Sequence, residues 1–146
     1  IHIHTYIKYE IMASTYGRVG GEGIATTNVD KTNTAKTMKS GSLEVFATPG
    51  MVALMEEAAC NALTIEDGFS SVGVSMSIQH LAATSLGRTV QATATITEIK
   101  KRSIQFTVTA KDSTGSVIGK GTHGRAVVGV EKFMKRAVEK PDVGNL

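Results

Sequence analysis

The chain has 146 residues, 16 basic against 13 acidic, for a net charge of +3, with one cysteine and no tryptophan. That length suits one domain with its own core, a single cysteine excludes an internal disulfide framework, and no apolar run approaches the roughly 20 residues that span a bilayer. The opening residues lack the long apolar centre and small-residue cleavage site of a secretory signal, so an intracellular, cytoplasmic setting is expected.

Residues 1–22 read as an N-terminal extension to which no function is assigned. Ile1, Ile3, Ile7, Tyr9 and Ile11 alternate imperfectly, as an extra strand would, and Met12 is an alternative start. His2 and His4 have metal-like spacing, but surface histidines are the simpler reading. Gly17, Gly20, Gly21 and Gly23 do not carry a strand into a helix, so they are read as a hinge rather than a dinucleotide-binding loop. Residues 24–31 are expected to form a strand and 32–39 a short helix or turn ending at Gly41.

A long helix is expected over about 49–65. Thr48 offers a side-chain acceptor at the cap, and Pro49 needs no donor at the first turn. Met51, Val52, Ala53, Leu54, Met55, Ala58, Ala59, Cys60, Ala62 and Leu63 make the helix apolar on nearly every side, which predicts burial all round and an inert buried thiol at Cys60. Glu56 and Glu57 interrupt this surface about 100° apart, so at least one of them should face something other than bulk water. A carboxylate in an apolar setting costs free energy unless it is paired or used.

After a turn at Asp67-Gly68 the pattern changes to period two. Val72, Val74, Met76, Ile78 and His80 fall on one face. Val90 to Ile96, then Ile104 to Ala110, alternate again across a charged turn at Lys100-Lys101-Arg102. Asp112 to Gly115 turns the chain into a strand over about 116–130, and residues 133–146 read as a basic tail. One long helix followed by hairpin-linked strands is an α+β order, and the simplest architecture is an antiparallel sheet curled around that helix, over residues 23–132.

His80 ends its strand on the helix-facing side, either as a core histidine satisfied by backbone or as a general base. Glu56, His80, the Thr48 hydroxyl and the free N–H groups of a helix start together form a parts list for acyl transfer. Thr48 and Glu56 lie roughly 12 Å apart along a helix axis, so they act without direct contact or one comes from a second subunit. His123 and Arg125 share a face of the last strand with Val117, Gly119, Gly121 and Val127. An arginine there suits an anionic ligand, although an exposed strand arginine fits equally. Glu56, His80 and His123 lack metal-ligand spacing, so no metal is expected. The basic residues lack the interleaved aromatics of a nucleic-acid surface.

Three separated runs carry a resemblance. Val45 to Ala58, Gly73 to Thr84 and Gly119 to Arg125 resemble, in order, segments of the fluoroacetyl-CoA thioesterase-like family of hot-dog-fold acyl-CoA thioesterases. The resemblance covers roughly residues 40–132. It implies a hot-dog fold, a homodimer with active sites near its interface, and hydrolysis of a short-chain acyl-CoA thioester without metal or redox cofactor. The family's catalytic Thr, Glu and His fall on Thr48, Glu56 and His80, and its substrate-contacting Gly and Arg on Gly73 and Arg125. The alternative reading is a non-catalytic acyl-CoA-binding protein of the same fold; no nucleic-acid or membrane partner is expected.

Overall fold

The computed structural model describes residues 16–142 and 144; the alternation expected over residues 1–11, with His2 and His4, lies outside them. The elements are β1 (Glu22–Asn28), α1 (Thr48–Asn61), β2 (Phe69–His80), β3 (Thr89–Lys100), β4 (Ser103–Asp112), β5 (Val117–Gly129) and α2 (Val130–Glu139). The strands form one antiparallel sheet in the order β1-β3-β4-β5-β2, curled around α1. Two of its turns fall where charge and glycine predict them. Lys101 takes a left-handed φ of 56° between β3 and β4, and Gly115 takes 84° before β5.

The core lies between α1 and the concave face of the sheet. Met51, Leu54, Met55, Ala58 and Ala59 of α1 are buried against Val90, Ala92, Ala94 and Ile96 of β3, Ile104, Phe106 and Val108 of β4, and Ile118 and Val127 of β5. Burial of each large side chain stabilises the fold by roughly 1.5–3 kcal/mol. Gly23 lets the sheet close on the helix, because a Cβ there would collide with the Ala58 carbonyl. Nearby, Asn61 Nδ2 donates to the Ile24 carbonyl at 2.8 Å.

The helix departs from its expected form in three respects. It runs from Thr48 to Asn61, not to 65, and Ala47 rather than Thr48 is its N-cap. It is buried on one side only: Ala53, Glu57 and Cys60 are exposed, so the buried thiol expected at Cys60 is corrected to an exposed one. The sheet covers a single face of the helix, and the Ala58-Ala59 pair occupies it, turning Cys60 about 100° further round.

Strand β2 departs from the expected alternation at a bulge. Gly73 pairs with Arg125 and Ser75 with Gly124, leaving Val74 as an extra residue. The helix-facing set therefore changes phase. Ser71 and Gly73 face inward before the bulge, opposite Val127 and Arg125, and Met76, Ile78 and His80 face inward after it. Val72 is thereby turned to the outer face, and Val74 is 59% exposed. A second shift, between Ala110 and Lys111 of β4, buries Ile118 and leaves Val117 exposed, against the expectation for β5.

The basic tail read over residues 133–146 begins as a helix, α2. Val130, Phe133, Met134, Ala137 and Val138 follow helical spacing along one side of α2, and this pattern was available in the sequence.

Candidate active site

The start of α1 is tied to the loops that follow β1 and β2, and the loop after β2 is tied in turn to β5. Phe46 N donates to the Thr84 carbonyl at 2.8 Å, Ala47 N to the Asn33 carbonyl at 2.9 Å, and Leu81 N to the Ile118 carbonyl at 2.6 Å. Val45 bridges to Ser85. Because Ala47 takes the cap position, the Thr48 hydroxyl is not used in capping and no side chain caps this helix. Thr48 Oγ1 instead lies 2.8 Å from His80 Nδ1.

Burial pushes the His80 imidazole below the ordinary histidine pKa of 6.5, outweighing a hydrogen bond with the Ala82 backbone that acts in the opposite direction. The ring is therefore neutral at pH 7 and can take a proton from the Thr48 hydroxyl. Its Nε2 is buried and meets no partner at hydrogen-bond distance among the described residues. Thr48 and His80 line a cleft of about 330 Å³ with Val45, Phe46, Leu81 and Ala83, small for a ligand pocket. The first-turn N–H groups of α1 have no intrahelical partners. A larger depression, about 600 Å³, lies on the threonine-rich outer face of the sheet and contains none of the candidate residues.

The depressed pKa predicts a pH profile. If activity needs neutral His80, kcat/KM falls on the acid side with a midpoint below 6.5 and stays level from there through neutrality. The same shift contributes stability that is fully present above about 6.5 and is lost as pH falls through the folded-state value. A kcat/KM profile from pH 4.5 to 8 checks this; an acid limb centred above 6.5 would assign the limb to another group.

The second group lies two turns along α1. Glu56 Oε2 accepts from Arg125 Nη1 at 3.0 Å. Arg125 is buried, and its other donors also point inward: Nε to Ser71 Oγ at 2.9 Å, Nη2 to the Ser71 carbonyl at 3.0 Å, and Nη1 to His123 Nε2 at 3.2 Å. The exposed strand arginine considered from sequence is therefore corrected to a buried one, committed to Glu56 and Ser71. Gly73 faces Glu56, and a Cβ at this position would stand 2.5 Å from Oε2. Gly73→Ala is thus expected to displace the carboxylate and lower kcat about tenfold while the melting temperature changes little. Steady-state kinetics beside a thermal melt check it, and an unchanged kcat would remove Gly73 from the site.

The candidate residues thus form two groups, Thr48 with His80, and Glu56 with Gly73 and Arg125. Among the described residues no hydrogen bond or ion pair joins the two groups within one chain. Sequence reading missed Ser71, because an uninterrupted alternation places Val72 where the bulge places Ser71.

A family model of fluoroacetyl-CoA-specific thioesterases matches residues 29–131. The chain belongs to that family. The fluoroacetyl-CoA thioesterase of Streptantibioticus cattleyicolor is 41% identical to it over 103 residues, 69% of this chain and 73% of that protein. A solved structure of a fluoroacetyl-CoA thioesterase superposes with a TM-score of 0.80 at 34% identity, over 86% of this chain and 98% of that one. A hot-dog-like protein from Thermanaerovibrio acidaminovorans gives 0.76 at 27% identity, over 89% and 96%. The hot-dog thioesterase fold expected from the sequence is therefore the fold observed, and every candidate residue lies inside the span matched by the fluoroacetyl-CoA-specific thioesterase family.

Proposed function

We propose that this chain hydrolyses a short-chain acyl-CoA thioester to the free acid and CoA, with Thr48, Glu56 and His80 as its catalytic residues. Membership of the thioesterase family makes it an acyl-CoA thioesterase; the roles of individual residues are our reading. The observation that carries it is the 2.8 Å contact between the Thr48 hydroxyl and a neutral His80 at the open start of a helix. There, N–H groups with partial positive charge are available to a developing oxyanion. Glu56 Oε2 is held by Arg125, which leaves Oε1 to generate the nucleophile. In the overall reaction the oxygen of water bonds to the acyl carbon, the C–S bond breaks, and the CoA sulfur leaves with a proton. Gly73 leaves room for substrate beside Glu56. Arg125, expected from the resemblance to touch substrate, acts in this reading by holding Glu56.

The two groups are completed, in this proposal, by a homodimer. β2 is a strand of twelve residues at the edge of the sheet, with no strand beside its outer backbone groups among the described residues, and exposed edges of this length pair readily with another chain. Two-fold pairing of β2 with its copy runs the strands antiparallel. The His80 end of one protomer then lies toward the Gly73 end of the other, which brings one subunit's Thr48 and His80 to its partner's carboxylate. Sedimentation at micromolar concentration is expected to give twice the 15.4 kDa chain mass; a monomer that retains turnover would overturn the composite site. The lone cysteine fits work in the cytoplasm.

Thiol release from a panel of esters, from acetyl- and fluoroacetyl-CoA to phenylacetyl- and medium-chain CoA, tests the activity. Turnover concentrated on the short esters is expected. Saturable binding with no release from any ester would select the acyl-CoA-binding reading instead.

A further inference from the structure

His123 is almost completely buried, at 2% exposure, yet it carries two specific polar contacts. Its Nδ1 lies 2.7 Å from the Ser75 carbonyl oxygen, which can only accept. Its Nε2 lies 3.2 Å from Arg125 Nη1, which can only donate. One state of the ring satisfies both: the neutral tautomer with the proton on Nδ1 and the lone pair on Nε2. An imidazolium would set an N–H against the guanidinium. The ring stacks on Phe106, with centroids 5.9 Å apart and planes 28° apart, so it cannot turn freely. Nη1 carries two protons. With one directed at His123, the other is directed at Glu56 Oε2, 3.0 Å away. His123 Nε2 stands 3.9 Å from that oxygen, too far for a direct hydrogen bond.

We infer that His123 is a positioning residue, which orients Arg125 by accepting from Nη1 and thereby fixes which oxygen of Glu56 is held and which is free. This rests on the role of Glu56 proposed above. The chain of contacts runs from the Ser75 carbonyl through His123 and Arg125 to Glu56, and the accepting carbonyl on one side and the donating guanidinium on the other set the sense of the ring between them. The bulge at Val74 contributes, because it brings the Ser75 carbonyl to His123 while Gly73 remains opposite Arg125.

Two variants separate this role from simple core filling. His123→Gln can present an acceptor oxygen near the site of Nε2, whereas His123→Leu fills the space without one. His123→Leu is expected to lower kcat about ten- to a hundredfold with KM little changed, because a displaced catalytic group costs rate rather than affinity. His123→Gln is expected to stay within about threefold of wild type. Nitrogen-15 NMR of the full chain supplies a readout without turnover. The wild-type ring should show a protonated Nδ1 and a bare Nε2. Restricted rotation of the Arg125 Nη1 group should be seen in wild type and His123→Gln and lost in His123→Leu, with thermal melts confirming that all three are folded. Equal Arg125 signals in the three proteins, or equal loss of kcat in both variants, would overturn the inference. Absence of ester turnover in wild type would overturn the proposed activity instead, while the NMR comparison still decides the role of His123.

Discussion

Glu56→Gln is expected to lower kcat by about two to three orders of magnitude, the range for loss of a positioned acid–base group. The amide keeps the volume and an acceptor oxygen, so the side chain can still meet Arg125 Nη1. What it loses is the charge and the basicity that generate the nucleophile, so KM should change little. The stability cost should be small. Glu56 is 40% exposed, so solvent screens its pairing with the buried Arg125, and the loss should be about 1 kcal/mol or less. Replacement by alanine would differ, because it strands the guanidinium without its carboxylate and the cost of an uncompensated buried charge appears. Steady-state thiol release on the best ester, with a denaturation curve for each variant, separates these outcomes. A glutamine variant with wild-type kcat would remove Glu56 from the chemistry.

The second large effect is a gain. His80→Ala and Glu56→Gln should each be nearly inactive as pure proteins, yet unfolding and refolding them together at equal ratio should restore about a quarter of wild-type activity. Random pairing makes about half of the dimers mixed, and each mixed dimer holds one intact composite site of its two. The arithmetic holds only if the Thr48–His80 pair of one protomer works with the carboxylate of the other. If all three residues act within one chain, every site in every mixed dimer carries a lesion and no activity returns. The experiment therefore decides the question posed by the roughly 12 Å between Thr48 and Glu56 on the helix. The direct contacts of the single chain, Thr48 to His80 and Glu56 to Arg125, are local to each half and fit either answer.

Much of this arrangement was legible in the amino-acid order. The helix could be placed because a threonine-proline start precedes closely spaced apolar residues, and most turns because glycine, aspartate or lysine pairs mark them. Inward placement of His80 also followed from period two, since counting from Met76 or Ile78 gives the correct face. Counting from Val72 reached His80 by an error: Val72 lies on the opposite face, and the bulge supplies the missing half-period. A bulge has no composition of its own here, so the Ser71 contacts that hold Arg125 could not be read in advance. Thr48 was assigned a capping role because threonine caps helices well, and only the tertiary contact with His80 redirects its hydroxyl. Cys60 and the unforeseen α2 show the converse limit. A count of apolar residues says how much surface can be buried, but not which side of a helix one sheet has room to cover.

Val74 illustrates a kind of constraint that substitution experiments pass over. Its side chain is largely in solvent, so many residues should serve in its place and its identity carries little information. Its existence is another matter. A chain one residue shorter here would regain an unbroken alternation and still read as a better strand. Its pairings would be unchanged, with Gly73 still opposite Arg125 and Ser71 still opposite Val127. What would be lost is the bend and added twist that an extra residue gives a strand. The position therefore sets the shape of the strand between Gly73 and Ser75, not the face on which either lies. Relatives that keep that bend should tolerate almost any residue at this position but not its loss.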